Sequence, residues 1–124
     1  VWWAGAEPDV KDVGEGAKGY NALNLNTSGQ QPKVIQDILK YVHDKGQGTG
    51  PKDEVGSVLY TRGIIIQALG IEAVRRAQER FGKGKVMTGE QVRWGFENLN
   101  LTDARIKDIG FEGLVSPIKM TCRS

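Results

Sequence analysis

Apolar residues between Val34 and Val42 recur at i, i+1, i+4, i+5 and i+8, one stripe of a 3.6-residue period. The pattern predicts a helix that opens at Pro32, where a missing N–H is no loss, and ends at Gly46. Gly46 to Pro51, with its glycines and proline, reads as a surface loop. A longer helix is expected from about Asp53 to Phe81, a stretch free of proline. Between Val58 and Val74 its apolar residues occupy nearly every face, which predicts burial against several neighbours, whereas Arg75 to Arg80 reads as a wet end. Gly63 and Gly70 stand a heptad apart on it, and each costs about 1 kcal/mol against alanine unless another element approaches closely.

Thr88-Gly89-Glu90-Gln91 is a capping-box pattern, and the Val92, Trp94, Phe96 and Leu99 that follow predict a short third helix. Thr102-Asp103 caps a further turn through Ile106 to Ile109, closed by Gly110 and Gly113. Strand signals are few. Val1 to Ala4 and Pro117 to Met120 read as short strands, Pro8 to Val13 as a helical turn, and Tyr20 to Asn26, with Leu and Asn alternating in its second half, as a strand with one covered face.

The stretch GEGAKG, Gly14 to Gly19, matches the dinucleotide fingerprint letter for letter. That fingerprint needs a strand, then the glycines, then a helix whose N–H groups meet the pyrophosphate. Here the glycines lead to a strand-like segment, and no acidic residue stands about twenty residues on in a suitable context. No nucleotide, and no other cofactor, is expected.

Composition narrows the classes further. With 124 residues, 39% apolar and 26% charged, the chain has the size of one ordinary domain and the make-up of a globular one. Net charge +2 is spread along its length, so no field gathers nucleic acid. Arg75, Arg76, Lys83 and Lys85 alternate with Glu72 and Glu79 as a solvated helix face does. No apolar run reaches the ~20 residues of a membrane span. One histidine, His43, and one cysteine, Cys122, make neither a zinc set nor a nucleophilic pair, and Cys122 has no partner for a disulfide within the chain. No nucleophile with an adjacent base and no paired catalytic carboxylates can be assembled, which argues against an enzyme. The absence of an initiating Met and the apolar start Val1-Trp2-Trp3 read as the interior of something longer.

Taken in order, "VWWAGAEPDV", "GAKGYNALNL", "VLYTRGIIIQALGIEAVRRA", "TGEQVRWGFENL" and "GFEGLVSPIKMTC" resemble the type I periplasmic substrate-binding proteins of the branched-chain amino acid class. The resemblance covers almost the whole chain and implies an α/β fold: the helix-rich C-terminal portion, about a third, of a two-lobed protein, with a few short strands. It places the end of the second lobe at 1–19, a hinge-crossing strand at 20–26, a helical first-lobe segment at 27–114 and a return crossing from 115. It makes Gly19 the glycine that opens the hinge strand.

That resemblance implies the solute-binding component of an ABC importer, periplasmic or extracellular, working with a permease and with the rest of its parent chain. The ligand would be a small organic solute, amino acid-like, aromatic or carboxylate. Trp2, Trp3 and Glu7 match the second-lobe contacts and Tyr60 an aromatic position of the first lobe. In the family an acidic residue near the first of these regions holds the ligand's ammonium group; here Glu7, the nearest acid, is displaced from it. Arg62 has the chemistry to hold a carboxylate bidentately or to pair with a helix neighbour. The other reading is a stand-alone helical interaction or structural fragment, with the apolar part of the long helix as its partner surface and no ligand.

Overall fold

The structure, a computed structural model, describes residues 6–21, 24 and 26–120. Its order is α1 (Ala6–Val13), a 3₁₀ turn (Gly14–Ala17), α2 (Lys33–Ile38) running on into a π-helical turn (Leu39–His43), and a second 3₁₀ turn (Lys52–Glu54). The long α3 (Val58–Phe81) follows, then α4 (Gly89–Glu97), β1 (Asn100–Leu101), α5 (Asp103–Asp108) and β2 (Ile118–Lys119). The helix-rich part of the expected fold is present; the described residues do not show the two-lobed architecture. Contacts divide the chain into two units, 1–62 and 63–124, with the boundary inside α3.

In the first unit, Ile35 of α2, Val55 and Val58 are buried, together with Thr61 and Asn26. The Asn26 amide donates to the carbonyls of Thr27 and Val58 at 3.0 and 3.3 Å, so that residue 26 is pinned to the first turn of α3. The long helix starts five residues later than its apolar pattern suggests. Gly56 has φ +97°, a left-handed conformation that no helix continues through, and a Cβ there would stand 2.6 Å from the carbonyl oxygen of Gly29. The two glycines meet backbone to backbone, Gly29 donating its N–H to Gly56 O at 2.7 Å. Of the strand expected at 20–26, Ala22, Leu23 and Leu25 lie outside the described residues, and Tyr20, Asn21, Asn24 and Asn26 are irregular.

GEGAKG folds as the 3₁₀ turn after α1, between Gly14 at φ +59° and Gly19 at φ +86°. The order is therefore helix then glycines, the reverse of a phosphate-binding loop.

In the second unit the core is built from Ala73 and Ala77 of α3, Leu99, Leu101, Ile106 of α5, Phe111 and Leu114. The capping box forms as its sequence predicts: Gln91 N–H donates to Thr88 Oγ1 at 3.3 Å and Thr88 N–H to Gln91 Oε1 at 2.9 Å. Thr102 caps α5 by accepting from Arg105 N–H. β2 realises the expected C-terminal strand, and it pairs antiparallel with β1, Asn100 opposite Lys119 and Leu101 opposite Ile118. Phe81 and Trp94 meet edge to face with centroids 5.4 Å apart.

The expected burial of α3 is corrected. Ile66 and Ile71 are 59% and 66% exposed, and Leu59 is exposed as well. Among the described residues no element packs on Gly63 or Gly70, since a Cβ on either would meet nothing within 4 Å. Close approach occurs instead at Gly95 of α4, where a Cβ would fall 2.0 Å from the carbonyl oxygen of Ala73. The supposedly wet half carries the core residue Ala77.

Candidate functional site

Among the described residues, two places with polar or apolar side chains brought together across elements stand out, one in each unit. In the first, Glu7 and Tyr60 line a single cavity of about 550 Å³ together with Lys11, Asp53, Glu54, Ser57 and Leu59. The cavity lies at the N-terminus of α3, with three carboxylates against one ammonium among its walls. Glu7 is engaged: its Oε2 accepts the N–H of Val58 at 2.7 Å, taking one of the donors that a helix start leaves without an intrahelical partner. Ser57 Oγ accepts from Tyr60 N–H at 3.4 Å, a second and longer cap on the same turn.

The other residues singled out in the sequence do not join them. Arg62 follows Tyr60 by two positions, about 200° around a helix, and is not part of the cavity wall. It is half-buried and has partners of its own. Trp2 and Trp3 lie outside the described residues. His43, in the π turn, packs its ring against the backbone at Gly48, where a Cβ would stand 2.6 Å from it.

In the second unit a cluster of charges gathers around a buried carboxylate. Glu72 is 3% exposed, and its carboxylate receives Arg105 Nη2 at 2.6 Å, Arg105 Nε at 3.2 Å to both oxygens, and Arg75 Nε at 2.8 Å. Burial by itself would push the Glu72 carboxyl up. The hydrogen bonds from Arg105 and Arg75, with their charges, outweigh it and hold the group below the ordinary 4.5. Arg105 is pushed up mainly by its hydrogen bonding to Glu72. Arg75 also pairs with Glu79, and Arg105 with Asp108, so the ion pairs run from α3 to α5. Glu72 was read in the sequence as part of a solvated face. No local signal marks its burial, because the arginine that compensates it, Arg105, stands 33 positions on.

The other feature of this unit is a shallow groove of about 380 Å³ lined by Gln67, Gly70, Ile71 and Val74 of α3 and Val92 and Phe96 of α4. None of its walls is charged, and Ile71 and Phe96 are exposed. Close packing of α4 on α3 at Gly95 and Ala73 makes the groove, because it brings Val92 and Phe96 alongside Gly70 and Ile71. Among the described residues no cluster of metal-ligating side chains is found, and no helix is long and apolar enough to cross a membrane.

No protein-family model and no curated protein matches the chain. A solved structure from the Pseudomonas fluorescens group, described as an ABC transporter permease, is similar to it: 39% identical with a TM-score of 0.82 over 87% of this chain. The chain spans 26% of the length of that protein. This likeness carries the ABC-transporter part of the expectation. It corrects the rest: the similar protein is described as a permease, and no comparison names a periplasmic substrate-binding protein or a branched-chain amino acid receptor. With that resemblance fall the solute-binding role, the small organic solute as partner and the periplasmic or extracellular placement that rested on it.

Proposed function

We propose that the chain is a helix-rich interaction piece of an ABC transport protein, which joins another protein surface through the groove face of α3 and α4 and binds no small solute by itself. The observation that carries this reading is the uncharged surface of Ile66, Gly70, Ile71, Val92 and Phe96, with Ile71 two-thirds exposed. Apolar surface of this kind is stabilised by burial at about 25 cal/mol per Å². Gly70 adds shape, because the open space above it lets a second helix come as near as the ~8 Å lower limit of helix packing. The likeness to a protein of which this fold is about a quarter supports a partner of the same kind, the remainder of a longer chain. The reading assigns the chain no catalysis.

The test starts from the gene around this segment and expresses the 124-residue chain with and without any remaining product. Sedimentation should show the chain associating with that product, and Ile71→Glu should abolish association while the far-UV circular dichroism stays unchanged. Calorimetric titration of the chain with small amino acids and aromatic carboxylates should give no heat. Ile71→Glu that associates as well as the parent chain, or micromolar heat from a solute, would refute the proposal.

A further inference from the structure

Of α1 and the turn after it, Glu7 and Asp9 to Gly16 are exposed and Ala17 is half-buried, and Val10 and Val13 carry their apolar side chains into solvent. A segment with so little burial is not held by a core of its own. Among the described contacts, the one that ties it to α3 is the bond across 51 positions from the Glu7 carboxylate to the N–H of Val58. The acceptor is charged and the donor belongs to the first turn of α3, where the helix dipole favours an anion. Glu7 and Lys11 supply one wall of the 550 Å³ cavity, and Asp53, Glu54, Ser57, Leu59 and Tyr60 supply the other.

We infer that α1 and the 3₁₀ turn behind it form a detachable strap over the N-terminal turn of α3, held shut by Glu7. When the Glu7 bond opens, the wall made by Glu7 and Lys11 leaves and the half-buried Tyr60 in the first turn of α3 becomes accessible. The helix itself survives release, because Ser57 Oγ still caps it and Asn26 still holds Val58 O. The strap is independent of the interaction reading above, as it lies in the other unit of the chain.

The experiment is limited trypsin digestion of the whole chain, followed by mass spectrometry at Lys11 and Lys18, with thermal melting recorded in parallel. Glu7→Ala should speed cleavage after Lys11 and Lys18 about tenfold, the order expected for loss of a charge-assisted bond. Its melting temperature should stay close to that of the parent. Glu7→Gln, which keeps a neutral acceptor oxygen, should fall between the two. Unchanged cleavage in Glu7→Ala overturns the strap. So does a large fall in melting temperature for both variants, since the segment would then belong to the folded core.

Discussion

Arg105→Ala removes the main partner of the most buried charge described in the chain. Glu72 keeps Arg75 but loses three contacts of 2.6 to 3.2 Å, one of them the shortest from its carboxylate. Two limits frame the cost. Exposed ion pairs are worth about 0–1 kcal/mol, and breaking a fully buried pair costs about 3–5 kcal/mol because the remaining charge is stranded. The Glu72 side chain is 4% exposed and that of Arg105 32%, so the carboxylate sits at the buried limit and the guanidinium well away from it. With Arg75 still in place the expected loss is about 2 kcal/mol. For a chain of this size that lowers the melting temperature by about 6–10 °C. Thermal unfolding at pH 7, followed by circular dichroism, measures it, with Arg93→Ala as the control. Arg93 pairs with Glu97 from a side chain 71% exposed, and its loss should cost about 0.5 kcal/mol or less. Equal shifts for the two variants would refute the argument that burial of Glu72 sets the magnitude.

Its acid dependence has a definite sign. Glu72 is held below its ordinary 4.5 in the folded chain, so the unfolded chain takes up the proton first as pH falls. The stabilisation is complete above about pH 4.5 and is lost as pH falls through the lower folded value. Glu72→Gln should therefore be less stable than the parent at pH 7, and the gap should narrow as pH falls below about 4.5. A gap that stays constant over this range would sink the assignment.

Gly95→Ala should cost at least about 2–3 kcal/mol, because its Cβ collides with the Ala73 carbonyl and α4 must shift; denaturant midpoints measure it, and a neutral result would mean the two helices are not in backbone contact. Gly56→Ala should lose about 2 kcal/mol or more, combining a left-handed backbone with the contact to Gly29 O. Thr88→Ala should cost about 1 kcal/mol by opening the capping box at the start of α4, and an unchanged melting curve would show that α4 does not depend on its cap. Gly70→Ala should raise the melting temperature of the isolated chain by the worth of about 1 kcal/mol, and the same methyl should weaken association with a partner helix. A Gly70→Ala chain that is both more stable and equally associating would remove Gly70 from the proposed contact.

Caps and helix ends were legible in the sequence because they are local: Thr88 and Gln91 are three residues apart, and the turn they make depends on nothing distant. The start of α3 was misplaced because Gly56 takes its conformation from a contact with Gly29, 27 positions away, and composition holds no record of that pairing. Glu72 was misread for the same reason, since its partner Arg105 is 33 positions on. The two cavity residues legible in advance, Glu7 and Tyr60, were singled out for a ligand, whereas the geometry gives Glu7 work on the backbone of Val58.

The glycines carry the sharper lesson. A glycine in a helix costs about 1 kcal/mol against alanine unless close packing offsets it, and the sequence alone does not say which of Gly63, Gly70 and Gly95 is offset. Of these three, only Gly95 has its reason among the described residues, in the Ala73 carbonyl that leaves no room for a side chain. Gly63 and Gly70 face open space on a helix whose exposed residues include Ile66 and Ile71, so within the described residues their cost has no offset. An unoffset cost on an apolar face is what an unfilled contact looks like, and a chain whose fold recurs as a quarter of a longer protein has room for that contact to be made elsewhere.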